Sequence, residues 1–200
     1  MRLSTVDAEE QKNRIIESAV ELFCTKGYEA TKLDDIAKAA NISKSPIYNH
    51  FENKENLFQV IVNRECDKYE EFERSIFLSD DSVFDKVAAV LYRCTAIGRT
   101  MEKLRTQMYF SSDSLTGAKE RFRQCQNILI EVKRIAFNQA LSMGELRKDC
   151  NIDNVIEMIF WFYRGMQAQI SIGQTAWDEV HLAEMIREFI RLLKTRYAVL

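Results

Sequence analysis

An all-α fold is what this sequence predicts, and three observations carry the expectation. Helix breakers are scarce: one Pro and six Gly in 200 residues, against 46% apolar residues. Apolar side chains recur at helical spacing over long stretches. The few punctuating residues, among them Gly27, Asn41, Ser82 and Gly144, fall between those stretches. About nine helices fit. Residues 1–52 read as an N-terminal three-helix domain, 53–80 as a connecting helix, and 81–200 as a C-terminal helical bundle.

Composition narrows the function classes. The formal net charge is −2, and residues 1–56 carry eight Lys/Arg against ten Asp/Glu. Any attraction to nucleic acid must therefore be local, centred on Lys32, Lys38, Lys44 and Lys54. Five widely spaced cysteines with no CxxC pair fit reduced thiols in a cytoplasm better than a disulfide framework. Asp7, Glu9 and Glu10 stand where a signal peptide needs an apolar run. The longest apolar run, Met158–Tyr163, is far too short to span a bilayer, so no membrane partner is expected.

Residues 1–8 read as a loose arm, with a helix from about Glu9. In that helix Ile15, Ile16, Ala19, Leu22 and Phe23 form one stripe, and Gly27 ends it. Thr31 is expected to cap the next helix, with Asp34 three positions on. Leu33, Ile36, Ala37 and Ala40 make its narrow apolar face, and Asn41 tolerates the left-handed conformation that ends it. Ser43 is expected to cap a third helix with Pro46 in its first turn, where no intrahelical N–H is lost. Ile47 and Phe51 should pack inward, leaving Lys44, Ser45, Asn49 and His50 outward and Tyr48 astride the boundary. A short helix with an apolar back and donors in front suits the major groove of DNA. Asn53 caps a fourth helix, which has apolar positions over some six turns. Lys54 in its first turn opposes the helix dipole, which implies an anion such as a phosphate nearby.

The ordered set Ala19, Leu22-Phe23, Gly27-Tyr28, Thr31, Ile36-Ala37, Ala40, Ile42-Ser43-Lys44, Ile47-Tyr48, His50-Phe51, Lys54-Glu55 and Leu57-Phe58 carries a resemblance. Residues 15–61 resemble the DNA-binding domain of the TetR (tetracycline-repressor-like) family of bacterial transcription regulators. Position by position, the resemblance implies phosphate contacts from Tyr48, His50 and Lys54, a backbone contact at the end capped by Thr31, and base reading from Lys44, Ser45 and Asn49. Lys32 adds local positive charge, and Pro46 stiffens the helix start. Two departures stand out: Ser45-Pro46 replaces the frequent Gly-Thr, and Asn41 replaces Gly. His50 as a metal ligand is not expected, because His181 is the only other histidine.

Beyond Asp80, Ser82 caps a helix carrying Val83, Phe84, Val87, Val90 and Leu91, with Gly98 as a possible bend. Ser111-Ser112-Asp113-Ser114 reads as a loop. A long helix to Met143 follows, with Phe122, Cys125, Leu129, Val132, Ala136, Gln139 and Met143 at heptad-like spacing. The next helix, to about Ile172, is apolar almost all round. The last, about Asp178–Tyr197, has a broad apolar face. Two such helices call for a homodimer interface of four helices, a pairing the resemblance also implies. The resemblance further implies an effector cavity in this half. Aromatic and Met side chains beyond simple core needs are its candidates: Tyr92, Met101, Met108, Tyr109, Phe110, Phe137, Trp161 and Tyr163, with Arg105 or Arg164 for a polar group.

The expected function is a homodimeric, ligand-responsive regulator. It would repress from a near-palindromic double-stranded operator and be released by a small apolar or aromatic effector. The alternative is a DNA-binding dimer without a small-molecule inducer, acting architecturally or through a protein partner. No G-x-G-x-x-G, P-loop, H-E-x-x-H or His/Cys cluster occurs, so neither an enzyme nor a cofactor is expected.

Overall fold

The computed structural model describes residues 5–111, 114–172 and 179–199. Ser112 and Asp113 of the expected loop, and the expected helix start at Asp178, lie outside them. Among the described residues the chain forms eight helices: α1 (Thr5–Thr25), α2 (Leu33–Ala39), α3 (Ser45–His50), α4 (Lys54–Phe77), α5 (Val83–Phe110), α6 (Thr116–Ser142), α7 (Ile152–Ile172) and α8 (Glu179–Tyr197). α1 starts four residues before the expected Glu9, with Asp7 in its first turn where the helix dipole favours an acid. α5 runs as one element through Gly98.

Backbone packing divides the chain into two compact units, and the division differs from a cut at residue 81. The first holds residues 1–66 and 103–123; the second holds 67–102 and 124–200. The three longest helices, α4, α5 and α6, thus serve both units. The early turns of α4, the end of α5 and the start of α6 go with the N-terminal helices.

The core of the first unit is built as the apolar stripes require. Ile15, Ala19 and Phe23 of α1, Ile36 of α2, Ile47 of α3 and Leu57, Phe58 and Ile61 of α4 are wholly buried. Phe23, Tyr28 and Phe58 form a ring cluster with centroids 5.0 to 5.5 Å apart. Such pairs each add about 0.5–1.5 kcal/mol beyond the area they bury. Leu104, Met108, Leu115 and Ala118 are buried from the later segment.

In the second unit, Val87 and Leu91 of α5, Leu129 and Phe137 of α6, Val155 and Ile159 of α7, and Ile186 and Leu193 of α8 are buried. Gly144 ends α6 at φ +77°, and the Glu145 N–H reaches back to the Ala140 carbonyl at 2.9 Å. The following turn is stitched to the end of α8: Arg147 N–H donates to Tyr197 O at 2.8 Å and Val199 N–H to Glu145 O at 3.0 Å. Ser82 Oγ caps α5 through the Asp85 N–H at 3.1 Å, and Asn151 Oδ1 caps α7 through the Asn154 N–H at 3.1 Å.

Candidate nucleic-acid interface

α2 and α3 meet at a tight turn. Asn41 takes φ +52°, and the Ile42 N–H bonds the Ala37 carbonyl at 3.0 Å, which closes the end of α2. Two caps fall one residue later than the sequence predicts. Thr31 does not cap α2. It is buried, and its hydroxyl donates to Gly27 O at 2.6 Å, so it serves the end of α1 instead. The cap position is Lys32, whose N–H is taken by the Asp35 carboxylate at 3.2 Å. Likewise Lys44, not Ser43, precedes α3, with Pro46 in its first turn.

Polarity along α3 sorts as expected. Ile47 and Phe51 are buried, while Lys44, Ser45 and Asn49 are exposed and Tyr48 is 58% exposed. Lys44 pairs with Asp34 of α2 at 2.5 Å, and this hydrogen bond raises its ammonium above the ordinary lysine range. An exposed pair of this kind is weak, so Lys44 can change partner at little cost. Asp35 is held below the usual carboxylate range, first by the Lys26 side chain and then by the Lys32 N–H. His50 is half-buried, with Nε2 3.4 Å from Gln11 Oε1.

Lys54 is engaged within the fold. Its ammonium donates to Tyr28 O at 2.8 Å and Thr31 O at 3.2 Å, and lies 4.2 Å from the centre of the Tyr28 ring. Burial pushes it below the ordinary lysine range. It therefore pins the α1–α2 loop that presents Lys32. Burial, then Glu55 and Glu29, pushes the Tyr28 phenol up to about 12. The loop has a second anchor that sequence reasoning missed: Gln107 of α5 accepts the Tyr28 N–H at 3.0 Å. A contact spanning 79 residues leaves no local signal.

The ten effector candidates fall in both units. Arg105, Met108, Tyr109 and Phe110 belong to the first unit, and the other six to the second. Tyr109, Phe110 and Trp161 are largely exposed; Met101 and Phe137 are buried; Arg164 pairs with the buried Glu102 at 3.4 Å. The Tyr92 hydroxyl donates to Ala183 O at 3.3 Å. Only Tyr163 lines the cleft found in the second unit, a space of about 460 Å³ counting its open mouth. That cleft is walled by Tyr69, Val90, Leu91, Leu129, Ile156, Ile159 and Phe160, with Gln126, Glu73 and Lys133. No group of three His, Cys, Asp or Glu side chains able to hold a metal occurs among the described residues. No described helix is long and apolar enough to cross a membrane.

A helix-turn-helix with its apolar back buried, on an all-α scaffold, defines the class of helix-turn-helix proteins. Residues 15–61 match the model of bacterial regulatory proteins of the tetR family. The match covers less than half of the chain, so it is this segment that resembles the family. A stretch of 58 residues is 45% identical to the biofilm operon icaADBC HTH-type negative transcriptional regulator IcaR of Staphylococcus epidermidis, and covers 29% of this chain and 31% of that protein. The match thus spans about a third of that relative's length. A TetR-family transcriptional regulator from Mesorhizobium loti has a similar fold: TM-score 0.78 at 18% identity, over 96% of this chain and 98% of that one. FadR from Bacillus subtilis, solved in complex with stearoyl-CoA, gives a TM-score of 0.73 at 18% identity over 89% and 96%.

Proposed function

We propose that the chain is a transcriptional repressor that binds a near-palindromic duplex as a homodimer and is released by a small apolar or aromatic effector. The observation that carries this is the split character of α3, with Ile47 and Phe51 buried and Lys44, Ser45, Tyr48 and Asn49 turned outward. In this reading Lys44, Ser45 and Asn49 meet base edges. Lys32, Tyr48 and His50 lie along the phosphates, with Pro46 holding the helix start and the buried Thr31 holding the end of α1 behind them. Lys54 acts through the loop it pins, beside the same backbone.

The dimer surface is the outer face of α7 and α8. Met158 and Trp161 are exposed on α7, a Cβ added at Gly165 would meet nothing within 4 Å, and Leu192 is exposed on α8. Large apolar groups beside an open glycine suit a helix from a second copy. Two recognition helices so joined would meet half-sites a whole number of turns apart, about 34 Å per turn. An effector in the cleft of the second unit would shift the balance between head separations that fit DNA and those that do not. The binding of stearoyl-CoA by FadR, a protein of similar fold, supports an effector.

Anisotropy titration against duplexes selected from genomic DNA tests the reading. Salt-sensitive binding of two chains per duplex is expected, and loss of that binding with a stabilising small molecule. Binding that no small molecule affects would favour the DNA-binding dimer without an inducer.

A further inference from the structure

We infer that the cleft of the second unit takes a small uncharged apolar molecule with a single hydrogen-bonding atom, and discriminates against carboxylates and ammonium ions. The inference rests on the ligand-responsive reading and adds the charge class. The walls are chiefly aliphatic: Val90, Leu91, Leu129, Ile156 and Ile159. Two charges sit among them, and they already neutralise each other. Lys133 of α6 forms an ion pair with Glu73 of α4, the two side chains being only 12% and 4% exposed. The Lys133 ammonium also faces the Leu129 carbonyl at 3.4 Å and the Phe77 ring at 5.3 Å.

A carboxylate entering this space would have to take Lys133 from Glu73, stranding a buried carboxylate. An ammonium ion would take Glu73 and strand Lys133. Leaving one member of a buried pair uncompensated is among the costliest changes a protein interior can suffer. A neutral molecule leaves the pair intact and gains from the aliphatic walls. Its one polar atom is served by neutral groups that also line the space, Gln126 and the Tyr69–Tyr163 pair, whose hydroxyls are 2.6 Å apart. A ligand with several polar atoms would bury most of them against hydrocarbon.

Calorimetric titration of the full chain at pH 7 with 1-hexanol, hexanoate and hexylammonium, and with benzyl alcohol, benzoate and benzylammonium, tests this. Each alcohol should bind at least about tenfold more tightly than its charged counterparts, a difference of about 1.4 kcal/mol. Leu129→Phe, which fills the cleft, should abolish alcohol binding. Glu73→Gln should raise hexanoate affinity relative to hexanol, and Lys133→Met should do the same for hexylammonium. A charged compound matching its alcohol in the unaltered protein would overturn the charge argument and leave the effector reading standing. Alcohol binding that survives Leu129→Phe would overturn the site. Binding by none of the six would overturn this inference and leave the effector reading to the DNA-release titration.

Discussion

The Tyr28 N–H donates to Gln107 Oε1 at 3.0 Å, joining the loop after α1 to the end of α5, 79 residues later. The same oxygen lies 3.2 Å from where a Cβ on Gly27 would sit. Gln107→Ala strips a half-buried N–H of its acceptor, at a cost of about 1–3 kcal/mol. Its melting temperature should fall by several degrees in a calorimetric scan. Gly27→Ala adds strain at φ +88° to the crowding at Gln107 and should cost more than a typical helix Gly→Ala change, which is often stabilising.

Tyr48→Ala should separate binding from stability. The ring is 58% exposed, so the unfolding midpoint should move little. Affinity for every duplex should drop together, because a phosphate contact carries no sequence information. Lys32→Ala should flatten the plot of log affinity against log salt by about 0.9. An unchanged slope in the salt titration would remove Lys32 from the interface.

Lys54→Met should lower both stability and DNA affinity, because the ammonium holds the Tyr28 and Thr31 carbonyls in place. Thermal denaturation and anisotropy on one preparation check the pairing. Retained stability with lost affinity would mean that Lys54 acts on DNA directly.

Alkaline pH gives a further test. The Tyr28 phenol is raised from its ordinary value of 10 to about 12 in the folded protein. A raised pKa means the folded state holds the proton more tightly than the unfolded one. The contribution is therefore complete below pH 10 and lost as the pH climbs through 12. Denaturant midpoints across that window should fall more steeply for the unaltered chain than for Tyr28→Phe.

Much of the first unit was legible because its signals are local. Gly27 and Asn41 take the left-handed conformation expected of helix ends, and Ile47 and Phe51 bury as their spacing requires. The α2 cap slipped by one residue because a hydroxyl between two helix ends can serve either one, and Thr31 serves the earlier. The cleft was hardly legible. Of the aromatic and Met candidates only Tyr163 reaches the walls, which are mostly branched aliphatics indistinguishable in sequence from core. Gln107 and the Glu73–Lys133 pair join residues far apart along the chain, so neither leaves a periodic trace.

The regulator reading stands or falls on paired heads gripping one duplex. Light scattering of the unaltered chain and of Trp161→Glu, each alone and mixed with a duplex recovered from genomic fragments, measures this most directly. The account predicts a dimer that carries one duplex at moderate salt, and a folded Trp161→Glu monomer whose hold on that duplex is greatly weakened. A monomeric unaltered chain, or a Trp161→Glu monomer that binds the full site undiminished, would contradict it.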